Sequence, residues 1–143
     1  MSTKIRPLAQ EDVPFTNLLH ERIFGQFLET EAYVSESNFY YGFVLEKDKE
    51  IIGYLLGQII YESAELFYVA VHPNFYGKNF GKQLVEAFIN KARELGCENI
   101  LLEVNTQNHP AIKMYEKCDF ANIGIRKNYY GVGEDAILMN FKL

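Results

Sequence analysis

Residues 65–95 constrain the fold more than any other stretch. ELFYVAV (65–71) is apolar and β-branched, the composition of a strand. HPNFYGKNFGKQL (72–84) gathers His, Pro, two Asn, two Gly and two Lys, the composition of a turn. Leu84, Val85, Phe88, Ile89, Ala92 and Leu95 then recur at helical spacing, and Gly96 ends the helix. The next apolar run, NILLEV (99–104), reads as a buried-type strand, covered on both faces as strands between helical crossovers normally are. A strand–helix–strand connection of this length forces its two strands to lie parallel.

The chain before this crossover reads differently. TKIRPL (3–8) is a short first strand. EDVPFTNLLHERIF (11–24) is a helix with Asp12 as its cap, Pro14 in its first turn, and a face of Phe15, Leu18, Leu19 and Ile23. ETEAYVSES (29–37) is weakly helical. FYYGFVLEK (39–47) and EIIGYLLGQII (50–60) form a hairpin around KDKE, and AELFYVAV (64–71) continues the antiparallel meander. Gly53 and Gly57 inside a strand predict bulges or close backbone approach. After 99–104, Asn108 caps a helix that runs to Cys118 with Pro110 in its first turn, a second crossover expected to pair its strands parallel. FANIGIRKNYY and EDAILMNFK close the chain as a hairpin around GVG. The expected fold class is α/β with a mixed sheet, in one domain spanning 1–143. Antiparallel N-terminal strands are followed by strand–helix–strand crossovers and a C-terminal hairpin.

The chain has 143 residues, 48% hydrophobic and 23% charged, with a net charge of −5. That balance argues against nucleic-acid binding, which needs a basic face, and is compatible with a basic peptide substrate. Cys97 and Cys118 form neither a C-x-x-C pair nor a zinc quartet, so reduced, partly buried thiols and no metal are expected. MSTKIRPLAQ lacks the apolar core of a signal peptide. The most apolar run, 51–60, is about half the length that spans a bilayer. These features predict a soluble cytoplasmic protein without membrane contact.

A helix that starts directly from a glycine-rich turn presents unpaired backbone N–H groups, which suit an anion such as phosphate. Gly77 and Gly81 allow positive φ and close approach of a ligand, Asn79 tolerates the left-handed region, and Lys78 and Lys82 add positive charge. A plain strand-to-helix turn explains the same residues equally well. No Walker or dinucleotide glycine pattern is present. Position adds to the argument, because ligands of open α/β sheets bind beyond the carboxyl ends of strands. The loop after Val71 and the residues Glu103 and Asn105 open at the same end.

VAVHPNFYGKNFGKQLVEAF resembles the acetyl-CoA-binding motif of the GCN5-related N-acetyltransferases, Gln/Arg-x-x-Gly-x-Gly/Ala. The motif falls on Tyr76, Gly77, Lys78, Asn79, Phe80 and Gly81, with Tyr76 and Asn79 departing from it. LLEVNTQNHPAIKMYEKCDF is similar to the family's next strand and helix at Asn108, Ala111, Tyr115 and Phe120, with Asp119 in place of the usual Gly. IRPLAQED matches the family's first strand and helix cap. RKNYYGVGEDAILM resembles the end of the bacterial ribosomal-protein alanine N-acetyltransferases, which carry a Trp-containing loop where this chain has none between residues 20 and 40. The resemblance implies the acetyltransferase fold and acetyl-CoA as co-substrate. The implied acceptor is a primary amine, first a protein N-terminus of a ribosomal protein. A small-molecule amine acetyltransferase and a non-catalytic acetyl-CoA-binding module are the alternatives.

The resemblance also implies site residues. The backbone of Val69, Ala70 and Val71 would pair with the pantetheine arm. Gly77, Lys78, Asn79, Phe80, Gly81 and Lys82 would hold the pyrophosphate, and Asn108 would contact the cofactor. Glu103 stands out in an apolar strand, where a carboxylate is costly unless paired or open to a cleft. It is either a rim residue bonded to a Lys or Tyr or, as in the matching enzymes, the general base. Tyr115 alone reads as a packed aromatic; the family position makes it the general acid. His72, His20 and His109 are rival bases, with His72 placed as a turn residue. Tyr129, Tyr130 and Glu134, with Asp135, lie on the last hairpin, which by resemblance walls the substrate groove.

Overall fold

The computed structural model describes residues 3–34 and 39–143. The strands are β1 (Thr3–Pro7), β2 (Tyr40–Lys47), β3 (Glu50–Ile60), β4 (Ser63–Val71), β5 (Asn99–Asn105), β6 (Ala121–Gly131) and β7 (Glu134–Lys142). The helices are α1 (Val13–Phe24), α2 (Phe80–Glu94) and α3 (His109–Lys117). All seven strands join one sheet in the order β1-β2-β3-β4-β5-β7-β6. The first four strands form the expected antiparallel meander, and β4–α2–β5 is the expected parallel crossover. Asp48 and Lys49 both take positive φ between β2 and β3, the geometry of a two-residue hairpin whose twist matches the strands. Thr30–Tyr33 forms a 3₁₀ turn, and residues 35–37 of the predicted weak helix lie outside the described residues.

Two cores sandwich the sheet. On one face α2 buries Leu84, Val85, Phe88, Ile89 and Ala92 against Leu45, Leu55, Ile100 and Leu102. Each of these side chains other than Ala92 contributes about 1.5–3 kcal/mol on burial. On the other face Leu19 of α1 joins Leu8, Val44, Tyr54, Leu56 and Ala70. Gly57 explains itself here. The pairing of β3 with β4 shifts between Leu56 and Gly57, and a Cβ on Gly57 would lie 2.6 Å from the Phe88 ring. A Cβ on Gly53 would lie 3.0 Å from the Ala70 carbonyl.

Several expectations need correction. The second crossover does not pair its strands: β7 lies between β5 and β6, antiparallel to both. The last hairpin enters as a unit, and β7 is the strand with buried Ala136 and Met139, whereas β6 is exposed along almost its whole length and suits an edge. The packed face of α1 is only partly the one predicted, since Leu19 and Ile23 join the core but Phe15 and Leu18 do not. Val13, Thr16, Leu19 and His20 are buried, while Phe15 and Leu18 are 59% and 65% exposed. The polar members are buried because each finds a partner: Thr16 Oγ1 lies 2.7 Å from Thr30 Oγ1, and His20 Nδ1 shares a hydrogen bond with the Tyr54 hydroxyl. Asp12 does not cap α1 through its side chain; its carboxylate accepts from both terminal nitrogens of Arg6 and from the Ala9 N–H. Leu95 sits at the helix end, 44% exposed. Finally, β5 is not covered on both faces. Ile100, Leu102 and Val104 are buried toward the helices, while Leu101 is exposed and Glu103 half-buried on the face where α1 packs over β3 and β4.

Candidate active site

The site begins where the sheet parts. β4 and β5 pair only over Ser63–Glu65 and Asn99–Leu101. Immediately beyond, Phe67 is an extra residue in β4, because Leu56 pairs with Tyr68 and Gly57 with Leu66. The bulge bends β4 away, and among the described residues its edge from Leu66 to Val71 has no strand beside it on the β5 side. A free edge offers backbone N–H and C=O groups to any extended chain that carries amides. A cleft of about 450 Å³ opens there. It is lined by Val69, Ala70 and Val71, by Gly77, Phe80 and Gly81 of the loop and first turn of α2, and by Asn108. Lys78, Asn79 and Lys82, placed with these from the sequence, do not line it. Lys82 instead faces a separate surface cleft with Glu86, Arg93 and Lys117.

Local conformation explains the loop residues. Gly77 has φ 77° and Asn79 φ 62°, both left-handed, so Asn79 plays the conformational part that its residue type predicts. Gly81 is helical and not at positive φ; a Cβ there would come within 2.8 Å of the Met114 sulfur. Its missing side chain therefore lets α2 and α3 approach. The first-turn N–H groups of α2 have no intrahelical acceptor and suit an anion. Asn108 caps α3, accepting from the Ala111 N–H at 3.3 Å. An amide-bearing arm along β4 and a diphosphate at the start of α2 match this donor set and shape.

Glu103 and Tyr115 do not line that cleft. Glu103 opens into a smaller cleft of about 280 Å³ with Glu65, Leu101 and Arg126. Its Oε2 is buried and, among the described residues, without a hydrogen-bond partner. The Tyr129 phenol is held above its ordinary range, first by hydrogen bonding to Glu103 and then by its charge. Tyr115 is 6% exposed in α3, and burial, with Tyr130 and Cys118 next, pushes its phenol well above the ordinary value. Tyr130 links the two: burial raises it to about 12, with Glu103 the next contributor. The pairing of β6 with β7 shifts between Arg126 and Gly131, which thrusts Tyr129 and Tyr130 out as an edge-to-face pair 4.9 Å apart. Asn128 holds that bulge, donating its N–H to Asp135 and accepting from the Gly133 N–H. Glu134 is exposed beside Gly131.

The histidines occupy other roles. His72 Nδ1 accepts from the Asn74 N–H within a 3₁₀ turn. His109 is the exposed first residue of α3. His20 is buried among Phe24, Tyr54 and Tyr68, and burial lowers its pKa. Among the described residues no cluster of His, Cys, Asp or Glu could hold a metal, and no helix is long and apolar enough to cross a membrane. Sequence reasoning missed Phe24 and Met114, which line the larger cleft, and Glu65. The signal for Glu65 was the one used for Glu103: a carboxylate inside an apolar strand.

Comparison with known proteins agrees with this geometry. Residues 6–120 match the Acetyltransferase (GNAT) family. A [ribosomal protein bS18]-alanine N-acetyltransferase of Haemophilus influenzae is 36% identical over 104 residues, covering 70% of each chain. Its Escherichia coli K12 counterpart is 29% identical over 139 residues, covering 94% of each. The crystal structure of the ribosomal-protein-S18-alanine N-acetyltransferase from Escherichia coli superposes with a TM-score of 0.87 at 27% identity, covering 99% of this chain and 94% of that one. With the family match extending from β1 to the residue before β6, and with a free β4 edge beside a helix N-terminus, this chain belongs to the GNAT family of acetyl-CoA-dependent N-acetyltransferases.

Proposed function

We infer that this chain acetylates the α-amine of a protein N-terminus, with the ribosomal protein bS18 as acceptor. One observation carries the reading. A carboxylate oxygen of Glu103 lies buried with no donor among the described residues, near a pair of tyrosines, on the sheet face opposite α2 and beside the point where β4 and β5 part. An amine arriving there meets an acceptor for its proton. The bS18-alanine N-acetyltransferases named above are relatives over most of the chain, which supports the acceptor class.

Acetyl-CoA supplies the activated acetyl carbonyl. The edge of Val69, Ala70 and Val71 binds the amide arm, and the N–H groups at the start of α2 bind the diphosphate. Lys78, Asn79 and Lys82 shape and charge the loop from outside the cleft. Glu103 takes the proton of the acceptor ammonium, directly or through one water, so that its nitrogen lone pair is free to bond to the acetyl carbon. The C–S bond breaks, Tyr115 gives its hydroxyl proton to the departing sulfur, and the second proton that the nitrogen sheds on becoming an amide passes through water to restore the Tyr115 hydroxyl. A phenol raised by burial keeps that proton at neutral pH, as an acid must. Tyr129, Tyr130 and Glu134 wall the side from which the peptide enters.

Incubation of a synthetic alanine-initiated bS18 peptide with enzyme and acetyl-CoA, read by mass spectrometry, tests this. One acetyl group on the α-amine is the expected product. Acetylation of polyamines or free amino acids with the peptide untouched would move the enzyme to small-molecule acceptors.

A further inference from the structure

We propose that Glu65 is the second carboxylate of the acceptor site: it attracts the acceptor as an ammonium, holds it for Glu103, and lets the neutral amide product go. The inference rests on the acceptor reading above and deepens it.

Register places the two carboxylates together. Glu65 is the last β4 residue paired with β5, opposite Leu101. Paired residues share a face, and Leu101 and Glu103 share one by the two-residue period of a strand. Glu65 and Glu103 accordingly line the same cleft, set where the strands begin to separate. The walls between them are apolar, from Leu101, Ile123 and Leu138.

Charge in this cleft is unbalanced. Among the described residues Arg126 is the one cation lining it, against two carboxylates, and its guanidinium lies 5.2 Å from the Tyr129 ring centroid. Among the described residues neither Glu65 nor Glu103 has an ion-pair partner within 4.0 Å. The other groups facing the pair are phenols: Tyr129 and Tyr130 from β6 and, beside Tyr130, Tyr68 from β4; β7 presents Leu138. Burial and the charge of Glu103 raise the Glu65 carboxyl, and Arg126 offsets this only in part. One further positive charge, small enough to sit between two carboxylates, relieves the repulsion. The α-amine has a reference pKa of about 7.7–8.0 and arrives mostly as an ammonium near neutral pH. Acetylation turns it into an uncharged amide, so the same pair that binds substrate has no hold on product.

The test is calorimetric titration of the CoA-bound enzyme with the alanine-initiated bS18 peptide and with its Nα-acetylated form. Wild type should prefer the free peptide near neutral pH. Glu65→Gln should narrow that preference by roughly three- to tenfold, the worth of one charged contact in a half-exposed site. Glu65→Asp should restore part of it, and at about pH 9, where the amine is mostly neutral, variant and wild type should converge. A Glu65→Gln enzyme that weakens both peptides equally, or neither, overturns the proposal. Glu103→Gln distinguishes the two readings, because loss of the base lowers kcat while the binding preference due to Glu65 persists. If wild type does not acetylate the peptide, the bS18 assignment fails by itself. The same comparison then runs by competition with alanine amide and N-acetylalanine amide, and an unchanged preference in Glu65→Gln again overturns the role of Glu65.

Discussion

Two residues that depart from the family's usual pattern sit at left-handed backbone: Asn79 at φ 62° and Asp119 at φ 72°. Glycine is the usual residue at both, and the conformation shows why, since a side chain at positive φ costs roughly 1–2 kcal/mol. Asn and Asp are the side chains that bear this cost best. Asp119→Gly should therefore stabilise the fold by about 0.5–1 kcal/mol after the entropy of the added glycine, raising Tm by a few degrees in a thermal melt. At the chemical site, Tyr115→Phe removes only a hydroxyl from a packed ring. It should lower kcat on the order of 10²–10⁴-fold and leave acetyl-CoA affinity nearly unchanged, as read by steady-state kinetics beside calorimetry. Near-normal turnover would leave Tyr115 as packing against Phe120, whose ring centroid lies 5.8 Å away.

Elements meet at glycines that the sequence marks but does not explain. Gly81 reads from the motif as room for a ligand, yet the group nearest its missing Cβ is the Met114 sulfur of α3. Substitution there acts through the contact between two helices, both of which line the cofactor cleft. Gly81→Val should weaken acetyl-CoA binding at least tenfold, and a second substitution, Met114→Ala, should recover part of the loss by making room. Lys78→Ala should cost much less, because Lys78 does not line the cleft. Calorimetric titration of the three variants checks the order; a Lys78→Ala variant worse than Gly81→Val would show that side-chain charge, not backbone, holds the cofactor. The bulge at Phe67 is the other device at this scale. It ends the β4–β5 ladder and so creates the edge on which the cofactor cleft depends.

At the scale of the molecule, α1 is tied down by polar groups that titrate. Arg6 joins Asp12 at 2.7 Å and Glu46 at 2.6 Å, which fastens β1, the approach to α1 and β2 together. The Arg6 hydrogen bonds hold the Asp12 carboxyl below its ordinary value. Burial lowers His20 in the same direction. Both groups bind protons more readily when unfolded, so both make stability fall with acid, in separate windows. The His20 contribution is complete above its unfolded pKa of about 6.5 and lost as pH falls through the lower folded value. The Asp12 contribution is lost only below about 3.8. Denaturant midpoints of wild type should drop between about pH 7 and pH 5, and His20→Gln should flatten that drop while leaving the loss at lower pH. An unchanged slope in the variant would assign the sensitivity to another group.

Local signals in the chain were enough to determine the element types, their order, the antiparallel meander, the parallel crossover at β4–α2–β5 and the loop at the start of α2. Periodicity, caps and glycines act within a few residues, so they are legible along a single chain. Three things depended on partners distant in sequence. The buried face of α1 was chosen by Thr30 and Tyr54, which satisfy Thr16 and His20, and no apolar stripe could announce that. The inner place in the last hairpin went to β7, because only packing on β5 distinguishes two strands that enter together. The nearness of Glu65 to Glu103, 38 positions apart in the chain, came from a strand register of three paired residues. Burial and register are sums over the whole sheet, and a carboxylate gains its chemical meaning from which neighbour that sum sets beside it.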